Sequence, residues 1–156
     1  SSIINPVIVV LKIMESLIVP NEIFFSHILE EIDAHRAVKI PVKGISMLPF
    51  IRPPSDQIEL SKLNGQSITK GNIVLARTKA NSYVVHRIEK VEKELVTLRG
   101  DGNPFVREQC DKKHVVAEVT AVYKKGRKIG KGSLKWNLAK KCWFSSPLYR
   151  KINGSG

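Results

Sequence analysis

Ser46, His86 and Asp101 are the residues of this chain whose types could together cleave an acyl bond. A serine hydroxyl is a poor nucleophile at its own pKa, so it needs a base within hydrogen-bond reach. A neutral imidazole can be that base, taking the proton as the hydroxyl attacks and returning it to the leaving group. A carboxylate beside the ring then orients it and stabilises the imidazolium. The three residues lie far apart along the chain, so only a fold that lays separate strands side by side can join them.

Each residue also has an ordinary reading. Ser46 stands in Val42-Lys43-Gly44-Ile45-Ser46-Met47-Leu48-Pro49, where a β-rich run over 37–42 meets a glycine and Pro49 forbids a long helix. That spacing predicts an exposed corner after a strand, which is only a turn unless a base faces it. In Ser82-Tyr83-Val84-Val85-His86-Arg87-Ile88, the two-residue period of a strand puts Val84, His86 and Ile88 on one face and Tyr83, Val85 and Arg87 on the other. A histidine among valines is ordinarily a packed core or edge residue. The functional reading is that partial desolvation keeps its imidazole neutral and able to accept a proton. Asp101 falls in Arg99-Gly100-Asp101-Gly102-Asn103, and Asp-Gly is a strong hairpin signal, so its plain role is to cap the N–H groups of a turn. His27 and His35 fall on or beside a helix and read as surface or packing residues.

The elements that must position these groups are mostly strands. Alternation and β-branched runs predict strands over 57–61, 73–77, 82–91, 95–99 and 115–123, set off by the turn signals Pro53-Pro54-Ser55, Asn64-Gly65, Lys70-Gly71-Asn72 and Gly100-Asp101-Gly102-Asn103. One helix precedes them. Asn21 is its N-cap, and Ile23, Phe24, His27, Ile28, Glu31 and Ile32 recur at helical spacing, which predicts a helix over 22–35. A helix followed by short strands and tight turns argues for a mostly β (α+β) domain with antiparallel pairing. The chain then divides into an N-terminal apolar segment and helix (1–36), a β-rich domain (37–130) and a basic amphipathic tail (131–156).

Four boxes, in order, carry a resemblance. Gly44-Ile45-Ser46-Met47-Leu48-Pro49 resembles the nucleophile box of the superfamily that joins type I signal peptidases with the self-cleaving SOS and phage repressors. Lys70-Gly71-Asn72-Ile73-Val74 resembles its Gly-Asp-Ile-Val strand, Val84-Val85-His86-Arg87-Ile88 its general-base box, and Arg99-Gly100-Asp101-Gly102-Asn103 the box with the Gly-Asp pair. The likeness covers about 42–127, and the whole resembles small bacterial proteins classed as signal-peptidase-like or repressor-peptidase-like, which also end in a basic, tryptophan-containing tail. It implies a compact antiparallel β fold and a serine endopeptidase that needs no metal or cofactor and cleaves a peptide or protein substrate. On that reading Ser46 is the nucleophile, and His86 is the base, as in the histidine-type members. Asp101 supports the base, and backbone at Ser46 and Gly44 forms the oxyanion hole, where one donor is worth roughly 3 kcal/mol in serine hydrolases.

The chain departs from that pattern in three places. Asn72 stands where the family has aspartate, Gly44 where many signal peptidases place a hydroxyl, and Glu108 is out of register with a further acid of the histidine-type members. These departures keep open a peptide-binding protein that has lost the chemistry. A self-cleaving regulator is a weaker alternative, because the stretch before Ser46 carries one helix and no helix-turn-helix pair.

Composition adds a partner. The formal net charge is +12 over 156 residues, 42% of them hydrophobic, which is enough for one core. No acidic residue follows Glu118, whereas basic residues run from Lys124 to Lys151. From Leu134 the pattern is helical, with Leu134, Trp136, Leu138, Ala139, Cys142 and Trp143 on one broad arc and Asn137, Lys140 and Lys141 on the other. Pro147 limits this helix to about three turns. Such a helix predicts peripheral contact with an anionic membrane surface through Trp136, Lys140, Lys141 and Trp143, the alternative being a terminal helix packed on the domain. No stacking-aromatic motif accompanies the charge, so no specific nucleic acid is expected. Cys110 and Cys142 have no metal-ligand spacing and predict no disulfide framework. The apolar run over 3–19 is interrupted by Asn5, Pro6, Lys12 and Glu15, which predicts no membrane span.

Overall fold

Helix α1 (Asn21–Asp33) leads into strands β1 (Val38–Pro41), β2 (Gln57–Ser61), β3 (Ile73–Arg77), β4 (Tyr83–Glu92), β5 (Leu95–Arg99) and β6 (Glu108–Asp111). A 3₁₀ turn over Lys112–His114 precedes β7 (Val115–Lys124), β8 (Arg127–Gly130) and helix α2 (Leu134–Ser145). This computed structural model describes residues 21–41, 50–51, 55–102 and 105–145, apart from the side chains of 21–25, 41 and 143–145. Every strand pairing is antiparallel, and the order across the sheet is β1-β2-β7-β3-β4-β5-β6, with β8 beside β7. The fold is therefore the expected mostly antiparallel β sheet, with one helix before it and one after among the described residues. Two of its strands, β6 and β8, are additions that the sequence pattern did not predict.

Local chemistry sets the ends of these elements. Helix α1 stops where His35 takes a left-handed φ of 58°. Its N–H then bonds the Ile32 carbonyl at 2.9 Å and the Arg36 N–H bonds that of Glu31 at 3.0 Å, a Schellman closure with histidine in the place glycine usually takes. The link from β7 to β8 is Lys125-Gly126, with φ of 51° and 78°, and a two-residue hairpin turn of this kind needs both residues left-handed. Long β7 pairs through Val115–Glu118 with β3 and through Ala121–Lys124 with β8.

The sheet has an apolar cluster on each face. On one, Ile28 and Ile32 of α1 pack with Val38, Ile40, Ile58, Leu60, Ile73, Leu75, Val119 and Val122 of the strands, and with Phe50, Ile51 and Trp136. On the other, Val74, Ala76, Ile88, Val96, Leu98, Cys110 and Val115 form a smaller cluster at the β3–β6 end. Strand β4 serves both, as its alternation predicts: Tyr83 and Val85 pack against the first cluster, Val84 and Ile88 belong with the second. Beside the small cluster the β3–β4 turn is tied to β6, the Lys79 N–H bonding the Gln109 carbonyl at 2.8 Å. Burial there pushes the Cys110 thiol up to about 11.

Trp136 requires a correction. It is 4% exposed and meets the Phe50 ring edge-on, with centroids 5.4 Å apart and planes at 86°. A ring so placed is core, not a membrane contact, and the apolar arc of α2 is divided: Trp136 faces the sheet, while Leu134 and Leu138 are 86% and 58% exposed.

Candidate functional site

Ser46 and Gly44 lie in 42–49, outside the described residues, as does Asn103. The positions that bracket the serine are described on both sides: β1 ends at Pro41, and Phe50 and Ile51 are buried in the larger cluster. The expected base His86, the expected carboxylate Asp101 and the out-of-register acid Glu108 can be placed in detail.

His86 sits in β4 opposite Val74 of β3, on the face of the small cluster, with its side chain 12% exposed. Its Nδ1 faces the Glu108 Oε2 at 3.7 Å. Strand β6 accounts for this proximity. Glu108 is level with Leu98 of β5, which is level with Ile88 of β4, and Ile88 is two residues from His86 on the same face. The out-of-register acid of the sequence is thus brought beside the imidazole by a short strand that the sequence did not announce. Burial holds His86 below its ordinary 6.5, while the charges of Glu108 and then Asp101 pull it upward. The outcome is an imidazole biased toward its neutral form, with a carboxylate facing its Nδ1.

Asp101 is held by the residue next to His86. Arg87 points to the opposite face of β4 and donates from Nε to Asp101 Oδ1 at 2.8 Å and from Nη2 to Oδ2 at 2.6 Å, while its Nη1 bonds the Gly71 carbonyl at 2.9 Å. Arginine and carboxylate are both nearly closed to solvent, at 1% and 6% of side-chain exposure. A forked pair of this kind fixes a planar carboxylate in position and orientation. It ties the Gly-Asp turn to the Lys70-Gly71 turn, where Gly71 adopts a φ of 95° that suits only glycine. Asp101 therefore reaches His86 by its charge from a clamped position, and Glu108 is the acid directly at the ring.

Asn72 also has a definite structural task. Its amide nitrogen donates to the carbonyls of Gln66 at 3.1 Å and Ser67 at 3.0 Å, stapling the loop before β3. An aspartate could not donate either bond. The departure from the Gly-Asp pattern is therefore matched by the loop it holds.

Beside Glu108, an open groove of about 470 Å³ is lined by Thr78, Ser82, Thr97, Arg107 and Gln109 among others. Arg107 is anchored there on Glu89, with Nε to Oε2 at 2.7 Å and Nη2 to Oε1 at 2.9 Å. Of the residues expected to meet a membrane, Trp136 is core, Lys140 is half-buried and Lys141 is exposed; Trp143 lies within α2, with its side chain outside the described residues. Among the described residues, no helix is long and apolar enough to cross a membrane.

A scan of protein families matches no family to this chain, and a search of curated proteins finds none similar to it, so the reading of the site stands on its residues and their geometry.

Proposed function

We propose that this protein is a signal-peptidase-like serine endopeptidase that cleaves a peptide or protein substrate by a Ser-His mechanism at an anionic membrane surface. The observation that carries the reading is the desolvated His86 with its Nδ1 turned to Glu108, at the strand position of the general-base box. In the forward step the Ser46 oxygen bonds the substrate carbonyl carbon as its proton passes to His86 Nε2. Backbone N–H groups at Ser46 and Gly44 receive the oxyanion. His86 then returns the proton to the leaving amine, and a water molecule repeats the cycle on the acyl-enzyme. Glu108 balances the imidazolium, and Asp101, locked by Arg87, adds its charge from further off. The 3.7 Å between Nδ1 and Glu108 is longer than a hydrogen bond, and catalytic bonds commonly tighten only once substrate is bound.

The test is labelling of Ser46 by a serine-directed acylating probe across pH 5 to 9. The parent is expected to react, and Ser46→Ala and His86→Ala to lose roughly 10³-fold or more of the rate. Labelling should rise as His86 loses its proton, with its midpoint below 6.5 because the folded protein depresses that pKa. Glu108→Gln removes the largest upward pull on the imidazole, so it should shift the midpoint to still lower pH while slowing the reaction. A folded parent that is not labelled at any pH would overturn the peptidase in favour of a protein that only binds peptides.

A further inference from the structure

On the outward side of α2, Leu134 and Leu138 stay exposed and meet no partner among the described residues, and the composition of this side is specific. Trp136 turns inward, and at about 100° per residue Leu134 and Leu138 stand roughly 160° away from it, with Lys141 and Cys142 on the same outer side. Leu134 also lines a groove of about 420 Å³ with Ile129, Arg127, Lys128 and Lys135, so the apolar stripe runs into a basic rim formed by the β7–β8 hairpin. Three lysines of this region are committed elsewhere: Lys124 to Asp56, Lys128 to Glu59 and Lys131 to Glu118. Lys125, Arg127, Lys135 and Lys141 have no carboxylate within ion-pair distance among the described residues, and no acidic residue follows Glu118 in the sequence.

We infer that this face, Leu134 and Leu138 with the cations of the β7–β8 hairpin and α2 around them, rests on an anionic lipid surface. Exposed leucines flanked by unneutralised cations match the acyl boundary and the charged headgroups together, whereas a polyanion alone would have no use for the leucines. The inference deepens the membrane half of the proposed function and is independent of the peptidase half. It also reassigns the contact from the tryptophan to the opposite side of the helix.

Sedimentation of the full chain with vesicles of equal parts phosphatidylglycerol and phosphatidylcholine, against phosphatidylcholine alone, tests it. Binding is expected only with the anionic vesicles. Leu134→Ser/Leu138→Ser should weaken it by about tenfold or more, and Arg127→Gln/Lys135→Gln by roughly 25-fold, or about fivefold per charge. Unchanged circular dichroism in each variant would show that α2 is intact. Trp136→Phe should bind as the parent does, and Ser46→Ala likewise, so a failure of the peptidase reading leaves the result unaffected. Binding indifferent to the leucine change, or loss of vesicles to competing duplex DNA in the charge-dependent arm, would overturn the lipid assignment.

Discussion

Two regions of the sheet are held by different physics. The larger cluster, where α1, β1, β2 and α2 meet, is built from hydrocarbon and two aromatic rings, with burial as its main source of stability. The β3–β6 end has a smaller apolar core and is surrounded by buried or half-buried charges: Arg87 with Asp101, Arg107 with Glu89, and His86 beside Glu108. Buried ion pairs are a weak source of net stability, since desolvation offsets most of their attraction. They do fix direction, because a forked guanidinium–carboxylate pair has one geometry where a leucine contact has many. The contrast teaches that the hydrocarbon cluster keeps the molecule folded, while the forked charge pairs keep particular side chains aimed.

The sharpest way to break that comparison is Trp136→Ala. It should cost about 3–5 kcal/mol for the cavity, with roughly 1 kcal/mol more for the lost edge-on contact to Phe50, read from urea unfolding. Next comes Asp101→Ala, which strands a buried guanidinium and should cost roughly 3–5 kcal/mol. The double change Arg87→Met/Asp101→Leu should recover much of that loss; if it is as damaging as the single one, the pair contributes stability outright and the two regions do not differ as described. Smaller is Asn72→Asp, expected at about 1–3 kcal/mol because two amide donors become a carboxylate facing two carbonyls.

A pH series sharpens the same contrast. His86 is held below the pKa of the unfolded chain, so the unfolded state takes up the proton first. The associated stability is present above 6.5 and is lost as the pH falls from there towards the folded pKa. His86→Gln should flatten this part of the profile, whereas Trp136→Ala should lower it evenly.

Much of this was legible in the chain. Alternation placed β2 through β5 and β7, and it put His86 and Ile88 on one face of β4 with Arg87 on the other. Strand β6 was not legible because Glu108-Gln109-Cys110-Asp111 is short and polar, and only buried Cys110 hints that one face is covered. Missing that strand meant missing why Glu108 lies at the imidazole. The place of Trp136 was not legible for a related reason: a helix with apolar residues on most of its circumference does not reveal which of them has a neighbour. Phe50, distant in sequence, supplies the neighbour of Trp136, and no local pattern encodes such a meeting.

That meeting also orders events in time. During synthesis Phe50 leaves the ribosome well before Trp136, so the Phe50 ring lacks its edge-on partner until α2 has emerged and docked. Contacts that span so much chain form late, since the intervening loop must be closed before they repay it. The Phe50 side of the larger cluster is therefore among the last parts of that core to be closed, and a nascent chain carries this ring without the neighbour that will bury it.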